Sequence, residues 1–156
     1  MIKIMFVCYG NICRSPMAEF LMKDFVEKKG EKDNFYIRSS ATSYEEIGHR
    51  VYGGTRAILD RLGIDYTGKV AEKLTADDYD KYDYFIGMDE SNRRNMIRQL
   101  NGDKDGKVSL LMDYTSNPRD VADPWYTRDF DATYRDIMEG IEAFYKFLKK
   151  NEKDLK

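Results

Sequence analysis

The chain has 156 residues, 42% hydrophobic and 35% charged, a balance that suits a single globular domain over 1–156 with a core of its own. Its net charge is −2, from 26 basic and 28 acidic residues, and with no basic tract a nucleic-acid partner is not expected. The longest apolar run, Ile4–Cys8, is far short of the ~20 residues of a membrane span. The Met1–Val7 stretch lacks the small-residue cleavage site of a leader. The expected place is the cytoplasm, with no membrane partner.

In chain order, Ile2–Val7 is a short apolar run and predicts a buried strand. From Pro16 a helix is predicted, with Met17, Phe20, Leu21 and Phe25 at helical spacing and Gly30 as its stop. Phe35–Ser40 predicts a second strand, Thr55–Leu62 a helix ended by Gly63, and Thr75–Asp78 a short capped helix. A third strand is expected over Tyr82–Met88, then a helix over Asp89–Leu100 with an acidic start. Val108–Met112 predicts a fourth strand. Over Phe130–Lys149 a long helix places Tyr134, Ile137, Ile141, Phe144, Tyr145 and Leu148 on one face. Lys146, Lys149 and Lys150 suit the dipole at its end, Asn151–Lys156 is expected to fray, and Tyr79, Tyr82 and Tyr84 are expected in core and sheet contacts.

Strands alternating with helices imply parallel pairing through right-handed crossovers, and short apolar strands fit a sheet covered on both faces. The expected architecture is α/β, a three-layer sandwich around a central four-stranded parallel sheet. In such sheets ligands bind beyond the carboxyl ends of the strands. That places the site after Val7, Ser40, Met88 and Met112, with a phosphate-binding loop after the first strand.

The loop Cys8-Tyr9-Gly10-Asn11-Ile12-Cys13-Arg14-Ser15 lies at that place, between a strand and a helix that opens near Pro16. Its peptide N–H groups and the helix N-terminus can converge on an anion. Gly10 permits a left-handed turn. Asn11 tolerates positive φ, and its side chain can tie the loop together. Arg14 presents a planar fork that matches two phosphate oxygens. The field that attracts phosphate also stabilises a thiolate on Cys8, an in-line nucleophile. Ser15 either donates to that thiolate or caps the helix, and both roles stay open here. The plain alternative is a buried cysteine ending a strand beside a surface arginine.

Cleaving a phosphate ester from tyrosine needs a proton for the leaving oxygen. Asp123, in Val121-Ala122-Asp123-Pro124-Trp125-Tyr126, is the candidate acid. Pro124 stiffens its backbone, and Trp125 and Tyr126 offer flat faces to a phenyl ring. Asp120 is the nearest rival, without the adjacent proline and rings. The two cysteines, Cys8 and Cys13, match no common zinc spacing. With His49 the only histidine, a metal or other cofactor is not expected. His49 itself reads as an exposed or helix-capping residue.

Taken together, Cys8–Glu19, Ser39–Ser43, Met88–Asn92 and Asp123-Pro124-Trp125-Tyr126 resemble the low-molecular-weight protein tyrosine phosphatases nearly end to end. The resemblance implies a phosphocysteine intermediate on Cys8, with Arg14 gripping the phosphate. It implies Asp123 as acid and then base. Gly10, Asn11, Ile12, Cys13 and Ser15 shape the phosphate loop, with Ser39 in their network, and Tyr9, Trp125 and Tyr126 wall the pocket. Some members carry a histidine where this chain has Gly68, and no role passes to that site. Relatives that resemble phosphoarginine phosphatases have threonine at the position of Ile12, whose methyls suit an aromatic ring. Expected partners are phosphotyrosine proteins or peptides, inorganic phosphate and similar oxyanions, and the chain is expected as a monomer or weak self-associate.

Three other readings are phosphoarginine phosphatase, arsenate reductase and a phosphate-binding module without turnover. Ile12 speaks against the first, the lack of a cysteine beyond Cys13 against the second, and the presence of both Cys8 and Asp123 against the third. Cys13 is either a small buried apolar side chain or the partner of an oxidised Cys8 in a disulfide. Recovery of a Cys13→Ser variant from peroxide separates the two.

Overall fold

The structure, a computed structural model, describes residues 1–155. Its hub is β1 (Ile2–Cys8), flanked by β2 (Phe35–Ala41) and β3 (Tyr84–Gly87), with β4 (Val108–Leu110) outside β3. All pairings are parallel, in the order β2-β1-β3-β4, with Cys8 level with Ala41 and Val7 level with Gly87. Side chains of a strand alternate between faces. Ile2, Ile4, Phe6 and Cys8 therefore join one core with α1 (Arg14–Lys28), α2 (Gly53–Arg61) and α5 (Phe130–Asn151). Met5 and Val7 join a second core with Met96 of α3 (Glu90–Gln99), Leu74 and Tyr79. These are the three layers expected. Among the described residues no helix is long and apolar enough to cross a membrane.

The first helix starts at Arg14, two residues before the expected Pro16. Proline still falls in the first turn, where a helical N–H has no intrahelical partner. The helix stops as expected at Gly30, whose φ of 74° lets Gly30 N–H reach Glu27 O and Glu31 N–H reach Val26 O. The expected third strand is trimmed at both ends to Tyr84–Gly87, and Tyr82 instead turns edge-on to Phe85. The fourth ends at Leu110 because Asp113 accepts the Leu110 N–H at 2.9 Å and draws Leu111–Tyr114 into a 3₁₀ turn. A short helix, α4 (Pro124–Thr127), was not expected, since four residues are too few to show a period.

The C-terminal segment does not fray as expected. Lys153–Leu155 forms a 3₁₀ turn, Leu155 is only 2% exposed in the main core, and Glu152 accepts from the Tyr84 hydroxyl at 2.7 Å. Lys156 lies outside the described residues.

Gly140 lets α5 lie directly on the turn at Leu111. A Cβ there would stand 2.4 Å from Leu111 Cγ and 3.1 Å from Met112 Sδ. Alanine favours a helix interior by up to ~1 kcal/mol, but overpacking a closed core costs ~1–3 kcal/mol. Gly140→Ala is expected to lower the urea unfolding midpoint, with a net loss of about 1 kcal/mol or more. A midpoint at or above the parent's would show that α5 moves aside freely.

Candidate active site

The end of β1 delivers Cys8 to the carboxyl edge of the sheet, and α1 begins six residues later. The loop between them curls around the sulfur. Asn11 N–H and Ser15 N–H donate to Cys8 Sγ at 3.3 and 3.4 Å, and the Ser15 hydroxyl lies 3.0 Å from it. Of the two residues suited to a left-handed turn, Asn11 takes it, with φ of 58°, and Gly10 has no positive φ. The turn falls on asparagine because its Oδ1 can accept the Glu72 N–H at 3.1 Å while its amide nitrogen donates inward. Ser15 is the second residue of α1 and does not cap it; its hydroxyl faces the sulfur.

Arg14 is 3% exposed. It donates to Asp89 Oδ2 and to the Val121 carbonyl, each at 2.8 Å, and approaches Asp123 Oδ2 at 3.5 Å. Burial pulls its pKa down, but Cys8, Asp89 and Asp123 outweigh burial, and the net shift is upward. Asp89 is held in turn by the Asn92 N–H at 2.8 Å, as the cap of α3. The Cys13 thiol behaves oppositely. Burial first, then the charges of Cys8 and Asp123, push its pKa up to about 12, so it stays a neutral thiol.

Asp123 sits across the cavity on a loop tied to the sheet by Val121 N–H to Met88 O at 2.8 Å. Its Oδ1 caps α4 through the Trp125 N–H at 3.0 Å. Trp125 packs edge-on against Tyr52 at 5.1 Å, with the Arg128 guanidinium over its ring at 5.2 Å.

One pocket brings together Cys8, Tyr9, Gly10, Ile12, Cys13, Arg14, Asp123, Trp125 and Tyr126. Asn11, Ser15 and Ser39 lie beneath it, joined by Asn11 Nδ2 to Ser15 Oγ at 2.7 Å and to Ser39 Oγ at 2.9 Å. Asp120 is exposed, is not among the pocket's lining residues, and accepts from the Glu90 N–H at 3.2 Å. His49 is exposed and bonded to Glu46 at 2.5 Å. Sequence reasoning missed Glu45 and Glu46, which line the pocket mouth, Glu45 accepting from the Tyr9 hydroxyl at 2.8 Å. Their signal was available, since they follow the carboxyl end of β2. It also assigned Asp89 no contact with Arg14.

A thiol cradled by amides, beside an arginine and across from a carboxylate, suits phosphoryl transfer, and similarity to known proteins points the same way. The sequence model for low molecular weight phosphotyrosine protein phosphatase matches residues 3–154. The chain belongs to this family. It is a protein-tyrosine-phosphatase of the cysteine-dependent class, whose chemistry runs through a cysteine phosphoenzyme. A relative from Bacillus subtilis, the low molecular weight protein-tyrosine-phosphatase YfkJ, is 37% identical over 155 residues, spanning 97% of this chain and 99% of the relative. The YfkJ crystal structure superposes with a TM-score of 0.94 at 34% identity over 98% of both chains. The Streptococcus pyogenes phosphatase SP-PTP gives 0.83 at 39% identity, covering 97% of this chain and 93% of that one. The drosophila arginine phosphatase DARP gives 0.88 at 28%, over 97% and 100%.

Proposed function

We propose that this phosphatase hydrolyses phosphotyrosine in proteins or peptides, with Cys8 as nucleophile, Arg14 as phosphate clamp and Asp123 as general acid and base. Cys8 Sγ attacks phosphorus in line, an S–P bond forms, and the ester P–O bond breaks. Asp123 gives its proton to the departing phenolate. Water then attacks phosphorus, Asp123 takes the proton, and inorganic phosphate leaves with the thiolate restored. Arg14 and the loop amides hold the equatorial oxygens throughout. The observation that carries the reading is the convergence of two backbone amides and the Ser15 hydroxyl on Cys8 Sγ at the floor of the pocket that Asp123 overlooks. Each step uses only groups of the chain and water.

The ring walls favour an aromatic ester. Tyr9, Trp125 and Tyr126 stand partly or largely exposed at the rim, and Ile12 presents methyls to the cavity. The similarity to DARP raises phosphoarginine as a second substrate, but Ile12 offers its guanidinium no hydrogen-bond partner. Phosphate release from a phosphotyrosine peptide is expected to exceed that from the matched phosphoarginine peptide by at least about tenfold in kcat/KM. Equal or reversed rates would overturn the preference. Arsenate reduction in the same assay is expected at background, for lack of cysteines to carry electrons.

We place the enzyme in a reducing cytoplasm, because a thiolate nucleophile must stay reduced to act. We take it to work as a monomer or weak self-associate. Sedimentation showing a tight dimer at micromolar concentration would sink the latter.

A further inference from the structure

Beneath the phosphate loop runs a line of hydrogen bonds whose direction follows from counting protons. Glu19 is 1% exposed. Its Oε1 accepts the Ser39 hydroxyl at 2.5 Å and its Oε2 accepts Lys23 Nζ at 2.6 Å. Lys69 Nζ stands 3.5 Å from Glu19 Oε1 and donates to the Ser39 carbonyl at 2.9 Å. Lys69 is the buried cation of the pair, its side chain 8% exposed against 36% for Lys23.

A hydroxyl has one proton. That of Ser39 is committed to Glu19, so Ser39 Oγ must meet Asn11 as an acceptor, which it does at 2.9 Å. At the other end of the same amide, Oδ1 takes the Glu72 N–H. Both neighbours therefore demand the same amide orientation. The second Asn11 N–H then donates to Ser15 Oγ, and the only Ser15 proton is left for Cys8 Sγ, 3.0 Å away. A flipped Asn11 amide would instead draw the Ser15 proton to its oxygen and take a donor from the sulfur.

We propose that the buried Glu19–Lys69 ion pair is a positioning device that locks Asn11 and thereby aims the Ser15 hydroxyl at Cys8 Sγ. This rests on Cys8 being the nucleophile. Neither residue touches the pocket, and both act through Ser39. Without Lys69 the Glu19 carboxylate keeps only Lys23, whose side chain is 36% exposed, and the Ser39 carbonyl loses its donor. A carboxylate no longer held from that side can turn away from the Ser39 hydroxyl, and Asn11 then loses one of its two constraints.

The test compares Lys69→Met, Lys69→Arg and the double variant Glu19→Leu/Lys69→Met, which leaves no unpaired buried carboxylate and so guards against simple misfolding. Turnover of an aryl phosphate is measured with the pH profile of iodoacetamide alkylation at Cys8, mapped by mass, and urea midpoints report folding. The methionine variants are expected to lose about tenfold in kcat with KM within about twofold, and to alkylate Cys8 at higher pH. Lys69→Arg is expected to restore both. A folded double variant with the parental kcat and alkylation profile overturns the proposal, as does a fall in kcat with no change in that profile. A parent without Cys8-dependent turnover would overturn the nucleophile assignment, and this inference with it.

Discussion

Cys8→Ser is expected to abolish turnover while leaving oxyanion binding in place. The serine hydroxyl would sit among the same donors, Asn11 N–H, Ser15 N–H and the Ser15 hydroxyl. An alcohol ionises far less readily than a thiol, and those contacts cannot make an alkoxide of it near neutral pH. With the attacking atom gone, the remaining groups can bind and orient but form no phosphoenzyme. The rate on aryl phosphates should fall by at least about 10⁴-fold. Binding is a separate quantity, held by the loop amides and by Arg14, whose contacts to Asp89 and Val121 do not involve Cys8. Titration calorimetry with tungstate should therefore give an affinity equal to the parent's or tighter, since a neutral hydroxyl does not repel the anion. Turnover within tenfold of the parent would remove Cys8 from the mechanism, and lost binding would show that the sulfur itself shapes the loop.

The second large effect concerns Asp123 and depends on the leaving group. Asparagine is the better replacement, because Asp123 Oδ1 caps α4 through the Trp125 N–H and an amide oxygen can keep that bond. The variant then removes the acid without undoing the turn that carries Trp125 and Tyr126. A tyrosine leaving group, with pKa near ~10, needs its proton as the P–O bond breaks, and kcat/KM for phosphotyrosine should fall by about 10²–10³. A nitrophenolate leaves without help, so kcat/KM for a nitrophenyl phosphate should fall far less. This ratio reports steps only through ester cleavage and is blind to slow release of the phosphoenzyme. Equal slowing on both esters would remove Asp123 from the acid role. Asp120 is no substitute, since it is exposed, bonded to the Glu90 N–H and not among the pocket's lining residues.

The elements that carry the site were legible along the chain because their signals are local. An apolar strand, a loop with a residue suited to positive φ, a proline in a first helical turn and a glycine at the helix end each act within a few residues. Gly10 and Asn11 both suit a left-handed turn along the sequence, and the turn falls on Asn11. Permissive backbone alone does not choose the place. Asn11 takes it because its side chain reaches Glu72, Ser39 and Ser15 at once, partners that a glycine lacks. The tail was misjudged for a related reason. Asn151–Lys156 is polar enough to read as solvated, yet Leu155 finds the main core and Glu152 finds Tyr84, 68 residues away.

By itself the sequence determined the alternation of strand and helix, the edge of the sheet where the pocket opens, and the short stretch from Cys8 to Ser15 that supplies sulfur, amides and guanidinium together. These depend on backbone conformation and side-chain type over a span of one turn. Only the tertiary structure decided which charges meet. Arg14 reaches Asp89 across 75 residues and Asp123 across 109. Glu19 meets Ser39 and Lys69 beneath the loop, and Glu45 and Glu46 join the pocket lining. Those pairings follow from the parallel register that sets Cys8 beside Ala41 and Val7 beside Gly87. Coulomb attraction and hydrogen bonding act over a few ångströms of space, whatever the distance along the chain.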